Sequence, residues 1–242
     1  MKKKVVIITQ ARTGSTRLPA KVLKKIGDKT ILEIHLDRAL MVKNANELIL
    51  ATTIDPKDDA IVEIGQRKGI KVYRGSESDV LDRYYQAAKM SNADVIVRIT
   101  SDCPLNDANV IDSIIEEHLK YNKDFTSNII ERYFPDGLDV EIFNFEALEK
   151  AWTEANEQKD REHVTYYIWQ NSDLMGKSIF TAHNVITENQ ANYADFRLTL
   201  DYTEDFKLFE KLITNLGIYR PWLDYVTFLQ QHPEVRALNQ SL

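Results

Sequence analysis

The first half of the chain alternates β-strand patterns with helical patterns. The strand patterns are short runs rich in β-branched residues, and the helical patterns repeat apolar residues every three or four positions. We predict strands at 5–9, 48–53, 70–73 and 94–100. We predict helices at 30–43, 56–68, 80–90 and 108–120, the last of them capped by Asp107. Alternation at this pitch indicates a parallel sheet with right-handed crossovers, so the predicted fold class is α/β.

The second half of the chain is less regular. A Pro-Asp-Gly turn signal within 134–143 predicts a β-hairpin. Further patterns predict helices at 145–156, 160–170 (capped by Asp160), 203–216 and 222–230, and a last strand at 197–200. We predict one domain over residues 1–242, with a hairpin-and-helix lobe inserted at about 133–170.

Charge and composition exclude several classes of protein. The net charge of −6 argues against general nucleic-acid binding. No apolar stretch approaches the roughly 18 residues that cross a bilayer. Cys103 is the single cysteine, so no intrachain disulfide forms. We therefore expect a cytoplasmic protein that binds neither nucleic acid nor membrane.

Positive charge is concentrated at the start of the chain. Residues 1–27 hold eight of the 31 lysines and arginines and no acidic residue. Arg12, Arg17 and Lys21 follow the first predicted strand in a loop whose Gly14 allows a sharp turn and an anion-binding nest of amides. The loop matches neither a Walker A motif nor G-x-G-x-x-G. We interpret it as a binding site for a small, highly charged anion; the alternative is a solvated basic loop.

Two acidic residues follow predicted strands. Asp102 ends the fourth strand and Asp201 ends the last one. Ligands of α/β sheets bind at the carboxyl ends of the strands, so segments 10–21 and 101–107 are expected to converge on one crevice. Magnesium prefers a few carboxylates with phosphate oxygens and water. Alternatively, Asp102 is a turn residue before Pro104, and Asp201 caps the following helix.

Six motifs occur in order along nearly the whole chain. They lie at 10–21, 74–84, 98–105, 136–141, 160–165 and 197–205. Through these motifs the chain resembles the cytidylyltransferases that activate acidic sugars, the acylneuraminate and ketodeoxyoctonate enzymes, and particularly their spore-coat polysaccharide biosynthesis relatives. The chain departs from the family pattern at Ala20, where glycine is usual, and at Thr203, where proline is usual. Ala20 matters only if its position requires a positive φ.

The resemblance implies a fold and an activity. The fold is that of the nucleotide-diphospho-sugar transferases (GT-A, Rossmann-like), a mixed sheet flanked by helices, usually in a homodimer. The activity is a magnesium-dependent transfer from CTP to a hydroxyl of a sugar or sugar acid, with release of pyrophosphate, in the synthesis of cell-surface or spore-coat polysaccharide precursors. The alternatives are a polyol phosphate or phosphonate acceptor, a GT-A glycosyltransferase that consumes a nucleotide sugar, and a non-catalytic binding protein.

The resemblance also implies roles for particular residues. The triphosphate is assigned to Gln10, Ala11, Arg12, Gly14, Ser15, Arg17 and Lys21. The base and ribose are assigned to Arg74, Ser76 and Asp79. Catalysis is assigned to Arg12, Arg17, Lys21 and Asp102, and magnesium binding to Asp102 and Asp201. From the residues themselves we assign the acceptor to Asp136, Asp139, Glu141, Arg161, Glu162 and His163. A dimer seam is the alternative for the 133–170 lobe, and a second metal site or a polar hairpin face are the alternatives for the three acidic residues at 136–141.

Cys103 follows Asp102 and raises the question of a nucleophile. Its next neighbours, Pro104 and Leu105, are apolar, and no base is dedicated to it in the sequence. We therefore predict a buried structural thiol.

Overall fold

The computed structural model describes residues 3–240 and 242, so Met1 and Lys2, at the start of the basic segment, lie outside the described residues. In the described chain the strands are β1 Val5–Gln10, β2 Lys25–Ile26, β3 Lys29–Thr30, β4 Glu47–Thr53, β5 Lys71–Gly75, β6 Val95–Thr100, β7 Phe125–Ser127, β8 Glu141–Asn144 and β9 Ala182–Asn184. The α-helices are α1 Ile31–Ala39, α2 Asp59–Arg67, α3 Val80–Ser91, α4 Ala108–Tyr121, α5 Phe145–Glu154, α6 Gln158–His163, α7 Tyr166–Gln170, α8 Thr203–Leu216, α9 Trp222–Gln231 and α10 Pro233–Arg236. Short 3-10 turns lie at Lys21–Leu23, Pro56–Asp58, Asp173–Met175 and Glu188–Gln190.

One mixed seven-stranded sheet organises the fold, with strand order β5-β4-β1-β6-β8-β7-β9. Strands β5, β4, β1 and β6 are parallel, whereas β8 is antiparallel to both β6 and β7. The chain runs from β1 outward through β4 to β5 and then returns to β6 on the other side of β1. The order therefore reverses between β1 and β6, the place where such sheets bind ligands.

The central strands are buried on both faces of the sheet. Val5 and Ile7 pack in one core with residues of α1, α2 and α4, whereas Val6 and Ile8 pack in another with residues of α3 and α5. This double burial explains why β1 is apolar at nearly every position rather than at alternate ones. A third core joins Leu198 and Leu200 to α8 and α9.

The first half of the chain folds largely as predicted. Strands β1, β4, β5 and β6 and helices α1 to α4 lie within a few residues of their predicted bounds. The predicted helix at 56–68 begins as a 3-10 turn and continues as α2. Asp107 is the N-cap of α4, since its side chain accepts hydrogen bonds from the backbone N–H groups of Asn109 and Val110.

The hairpin predicted at 134–143 is wrong. Strand β8 pairs with β7 instead, and Asp136 lies in the long connection between these strands. The physical reason is a side chain that replaces a strand partner. The amide of Asn128 donates to Leu138 O and accepts from Val140 N, at 2.8 and 2.9 Å. The Pro-Asp-Gly signal therefore marks a bend held by Asn128, not a hairpin turn.

Three further predictions in the second half are wrong. The helix predicted at 160–170 is two helices, because Val164 adopts φ 56° and ψ −64°. Its cap is not Asp160, since α6 already begins at Gln158. The strand predicted at 197–200 is extended but does not join the sheet; its one bridge joins Arg197 to Asp136.

The division of the chain stays a prediction. Residues 133–170 include β8, which pairs within the main sheet. Over residues 3–240 and 242, no helix combines the length and apolar character needed to span a bilayer.

Candidate active site

A cavity of about 680 Å³ opens at the carboxyl ends of β1 and β6. Three groups of residues line it. The segment that ends and follows β1 contributes Gln10, Ala11, Arg12, Gly14, Ser15, Thr16, Arg17, Lys21 and Val22. The β6 side contributes Arg98, Thr100, Ser101, Asp102 and, from the segment before α8, Asp201. The remaining wall is built from Glu77, Ser78, Val80, Arg83, Gln158, Glu162 and His163.

The predicted convergence of the two loops is present, and Lys21 lies at its centre. The ammonium of Lys21 is 3.0 Å from Asp102 Oδ2 and 2.8 Å from Asp201 Oδ1. It also donates to Leu200 O at 2.8 Å. The segment that carries Asp201 is not a strand of the sheet. A backbone hydrogen bond from Leu200 N to Asp102 O, at 2.8 Å, holds it beside the loop after β6.

The carboxylate pair fits a divalent metal that arrives with a nucleotide. Asp102 and Asp201 both contact one nitrogen atom, so their oxygens are close enough to share a cation. Among the described residues there is no group of three or more His, Cys, Asp or Glu side chains that could hold a metal. Magnesium commonly takes one or two carboxylates and completes its shell with phosphate oxygens and water. The chemistry of the pair thus suits a magnesium–triphosphate complex better than a metal held by protein alone.

The charges in this cluster stabilise one another. Burial lowers the pKa of Lys21, but the charges and hydrogen bonds of Asp102 and Asp201 outweigh it, so the pKa lies above its ordinary value. Burial raises the pKa of Asp102, but the charge of Lys21 and a hydrogen bond from Thr100 outweigh it, so that pKa is lowered. Lys21 and Asp102 are therefore both ionised at neutral pH.

A second set of contacts positions Asp201. The backbone N–H groups of Asp201 and Tyr202 both donate to Asp205 Oδ2, at 2.8 and 2.9 Å. Asp205 is fully buried and pairs with Arg197 at 3.0 Å. Arg17, on the cavity side, lies 3.4 Å from Asp201 Oδ2 and stacks over the Tyr202 ring.

The loop after β1 is held from two sides. The backbone N–H and hydroxyl of Thr13 both donate to buried Asp58, at 2.8 and 2.7 Å. Arg12 pairs with Glu77 at 2.8 Å. A side chain at Gly14 would place its Cβ 3.1 Å from the carboxylate of Glu77, so close approach rather than a positive φ favours glycine there.

Ala20 adopts the left-handed conformation, with φ 51° and ψ 33°. Glycine is usual at this position in the family that the chain resembles, and the position does adopt a positive φ in this chain. Its conformation begins the 3-10 turn that presents Lys21 to the carboxylates. A non-glycine residue in this conformation carries backbone strain.

The loop after β6 is anchored by a buried histidine. His35 contacts Thr9 Oγ1 through Nε2 at 2.8 Å and Cys103 O through Nδ1 at 3.1 Å. Burial lowers the pKa of His35 to about 4, so it is neutral and structural at pH 7. Cys103 is buried as predicted, and burial raises the pKa of its thiol, which opposes a nucleophilic role.

Several residues assigned by resemblance lie outside the cavity lining. Arg74 pairs with Asp59 at 2.7 Å, and Ser76 lies 3.2 Å from the hydroxyl of Ser78. Asp79 caps α3 and pairs with Arg161 at 2.6 Å, so this pair joins α3 to α6.

The acidic residues of the motif at 136–141 form ion pairs with arginines. Asp136 pairs with Arg197 at 2.9 Å and Asp139 with Arg132 at 2.7 Å. Glu141 is buried and contacts Arg98. Glu162 and His163 are the assigned acceptor residues that the structure brings to the cavity.

Sequence reasoning missed two arginines in the cavity wall. Arg98 lies inside the apolar strand β6, and Arg83 lies in the first turn of α3 with 2% of its surface exposed. The signal that could have identified them is a charged residue in an otherwise apolar buried segment, where charge is costly unless it is used.

The model of the cytidylyltransferase family matches residues 6–232 of the chain. The chain belongs to the cytidylyltransferase family. An uncharacterized protein of Methanocaldococcus jannaschii is 43% identical over 242 residues, which cover 99% of this chain and 96% of that protein. The spore coat polysaccharide biosynthesis protein SpsF of Bacillus subtilis is 32% identical over 245 residues, which cover 98% of each chain.

Solved structures agree with the family and confirm the predicted fold. A cytidylyltransferase from Leptospira borgpetersenii superposes with a TM-score of 0.91 at 34% identity, covering 100% of this chain and 99% of that one. A CMP:2-keto-3-deoxy-manno-octonic acid synthetase complexed with CTP gives a TM-score of 0.65 at 16% identity, covering 88% of this cytidylyltransferase and 99% of that chain. The second likeness is one of fold alone. The mixed sheet flanked by helices is thus the nucleotide-diphospho-sugar transferase fold.

Proposed function

We propose that this cytidylyltransferase transfers the cytidylyl group of CTP to a hydroxyl of a sugar or sugar acid, in the synthesis of a polysaccharide precursor. The hydroxyl oxygen bonds to the α-phosphorus and its proton passes to solvent water. The bond from that phosphorus to the bridging oxygen breaks, and pyrophosphate leaves. The observation that carries the proposal is the convergence of Lys21, Asp102 and Asp201 beside a basic loop at the switch point of the sheet. The name of the SpsF relative supports the polysaccharide setting.

In this proposal the positively charged side chains of the loop after β1 bind the triphosphate. Arg12, Arg17 and Lys21 line one side of the cavity and supply charge-assisted donors to phosphate oxygens. Such transfers depend mainly on positioning and on neutralising the charge of the departing group. A magnesium ion, when bound by Asp102 and Asp201, would add positive charge at the phosphates. Asp205 and His35 are positioning residues, because they hold the segments that carry these aspartates.

We propose that the acceptor binds at the α6 side of the cavity. Glu162 and His163 line it there, beside Gln158. Carboxylate, imidazole and amide groups suit the hydroxyls of a sugar. Arg98 lines the same cavity and has a buried Nε without a hydrogen-bond partner in the described chain, so it suits an acidic group on the acceptor. The homodimer and the cytoplasmic location stay predictions; light scattering of the purified protein measures the first.

An acceptor screen tests the proposal. Pyrophosphate release is measured with CTP, magnesium and a panel of sugars, sugar acids, polyol phosphates and phosphonates. We expect release with CTP and a sugar or sugar acid. Release with polyol phosphates or phosphonates alone would reassign the acceptor. Consumption of nucleotide sugars without pyrophosphate release would instead indicate a glycosyltransferase.

A further inference from the structure

Arg83 is a buried arginine with two donor atoms that have no acceptor among the described residues. It exposes 2% of its surface, yet it lines the cavity. Its Nε and Nη1 atoms are buried and have no hydrogen-bond partner among the described residues. An unpartnered buried polar group costs free energy, about 1–3 kcal/mol and more when charged. A residue kept under these conditions is expected to have a partner that arrives with the ligand.

The acidic side chains near Arg83 are already bound elsewhere. Asp58 accepts hydrogen bonds from Thr13 and Thr53. Glu77 pairs with Arg12. Burial lowers the pKa of the Arg83 guanidinium, and the raising effects of Tyr84, Asp58 and Glu77 do not outweigh it. Meanwhile the stem of Arg83 occupies space that Gly75 leaves open, since a Cβ at Gly75 would lie 2.6 Å from Arg83 Cγ.

The sheet order and the contact with Gly75 put the stem of Arg83 on the β5 side of the cavity. Arg83 follows β5 through the Glu77–Ser78 loop, whereas Asp102 follows β6. Strands β5 and β6 are three positions apart in the sheet, or about 14 Å at the usual strand spacing. A nucleobase that extends from the Lys21–Asp102 cluster toward β5 would meet Arg83 in the cavity wall.

The buried polar atoms of the cavity that have no hydrogen-bond partner in the described chain are of the donor and acceptor types that a cytosine edge requires. Cytosine presents two adjacent acceptors, O2 and N3, and an amino group at C4. Arginine offers donors in a fixed planar fork, which suits adjacent acceptors. Gln10 Oε1, in the same cavity, is a buried acceptor without a partner in the described chain, which suits the amino group. A phosphate has acceptors only, so it would provide no hydrogen-bond donor for Gln10 Oε1.

We propose that Arg83 donates to O2 and N3 of the cytosine ring and thereby selects CTP over UTP. Uracil carries a hydrogen on N3, so it turns a donor toward the donors of Arg83. This inference rests on the proposed use of CTP and names the residue that decides it. A good bidentate contact discriminates between bases by about tenfold to hundredfold.

Binding of CMP and UMP without metal tests the assignment. We compare wild type, Arg83→Met, Arg83→Lys and, as a control, Arg220→Met, which changes an exposed arginine outside the cavity lining. Wild type and Arg220→Met should prefer CMP over UMP by about tenfold to hundredfold. Arg83→Met should lose this preference mainly through weaker CMP binding. Arg83→Lys should keep the charge but lose the fork, and with it most of the preference.

Two further measurements distinguish base recognition from a role in folding or in phosphate binding. Arg83→Met should melt at or above the wild-type temperature, because it removes a buried charge without a partner. Pyrophosphate binding should be unchanged in both Arg83 variants. An unchanged CMP-to-UMP ratio in Arg83→Met, or in Arg83→Lys if the first variant does not fold, would overturn the proposal. Equal losses for CMP, UMP and pyrophosphate would also overturn it and assign Arg83 to the phosphates. The proposed function fails separately, if the wild type transfers another nucleotide instead of CTP.

Discussion

The ammonium of Lys21 lies 2.8 Å from Oδ1 of Asp201, a residue 180 positions further along the chain. The same ammonium lies 3.0 Å from Asp102, so its single charge offsets part of the charge of both carboxylates proposed to bind metal. Lys21 also belongs to the loop proposed to bind the triphosphate. Lys21 thus contacts both the proposed triphosphate site and the proposed metal site, so its removal should affect the binding of nucleotide and of metal differently.

Replacing Lys21 with methionine should weaken CTP binding and strengthen binding of a metal alone. The loss for CTP should be about 1.5–3 kcal/mol, the range for hydrogen bonds to a charged group, and the loss for CMP should be much smaller. Without nucleotide, the two carboxylates lose their cation and should hold Mn²⁺ more tightly. Calorimetry with CTP and CMP and paramagnetic resonance with Mn²⁺ measure these effects. Arg17→Ala is the comparison variant, with a loss for CTP and a smaller gain for Mn²⁺. Equal losses for CTP and CMP would assign both residues to the α-phosphate or the fold.

Asp102→Asn should slow turnover about 100-fold or more, because one charge-stabilising contact commonly contributes that much. CTP binding measured without metal should change little. Steady-state pyrophosphate release at saturating magnesium measures the first effect, and calorimetry measures the second. Asp28→Asn, a change at an exposed site, is the control. Turnover close to that of wild type at saturating magnesium would remove Asp102 from the metal site.

Ala20→Gly should stabilise the protein, because glycine adopts the left-handed conformation of Ala20 without strain. Relief of about 1–2 kcal/mol of strain is partly offset by the greater entropy of glycine in the unfolded chain, leaving a net gain of about 0.5–1 kcal/mol. Urea unfolding measures the change. Gly27→Ala is the matched control, since Gly27 has φ +64° and a Cβ added there would meet no described atom within 4 Å, and it should destabilise through backbone strain alone. A decrease in stability for Ala20→Gly would contradict the assigned strain.

Glu47→Gln should reduce stability at neutral pH and make unfolding less sensitive to acid. Burial raises the pKa of Glu47, but contacts with Lys71, Ser91 and Lys4 outweigh it and hold the pKa at about 2. The stabilisation is complete above the ordinary pKa of about 4.5 and is lost as the pH falls toward 2. Because Lys71 is largely exposed, we expect about 1–2 kcal/mol.

Urea unfolding at pH 7, 4.5 and 3 checks the Glu47 prediction. The difference between wild type and Glu47→Gln should be largest at pH 7 and should shrink at pH 3. Glu63→Gln, at an exposed position, should show no such trend. A difference that stays constant across the three pH values would mean that packing, not charge, accounts for the effect.

Local patterns predicted the sheet centre and the basic loop, because these depend on short stretches of chain. The apolar run of β1 reports burial on both faces, and Asp107 caps its own helix. The second half was less predictable, because its partners are remote. Asn128 replaces a strand partner for Leu138 and Val140, and no spacing within 134–143 reveals it.

The α/β class, the family and the loop that carries Arg12, Arg17 and Lys21 could all be predicted from the sequence. This was possible because strand–helix alternation and ordered motifs are properties of neighbouring residues. The folded chain was needed to show that Lys21 bridges Asp102 and Asp201 and that Ala20 is left-handed. It was also needed to show that Arg83 lines the cavity with two donor atoms that have no partner in the described chain. These relationships depend on contacts between distant segments and on backbone dihedral angles, which a linear pattern does not specify.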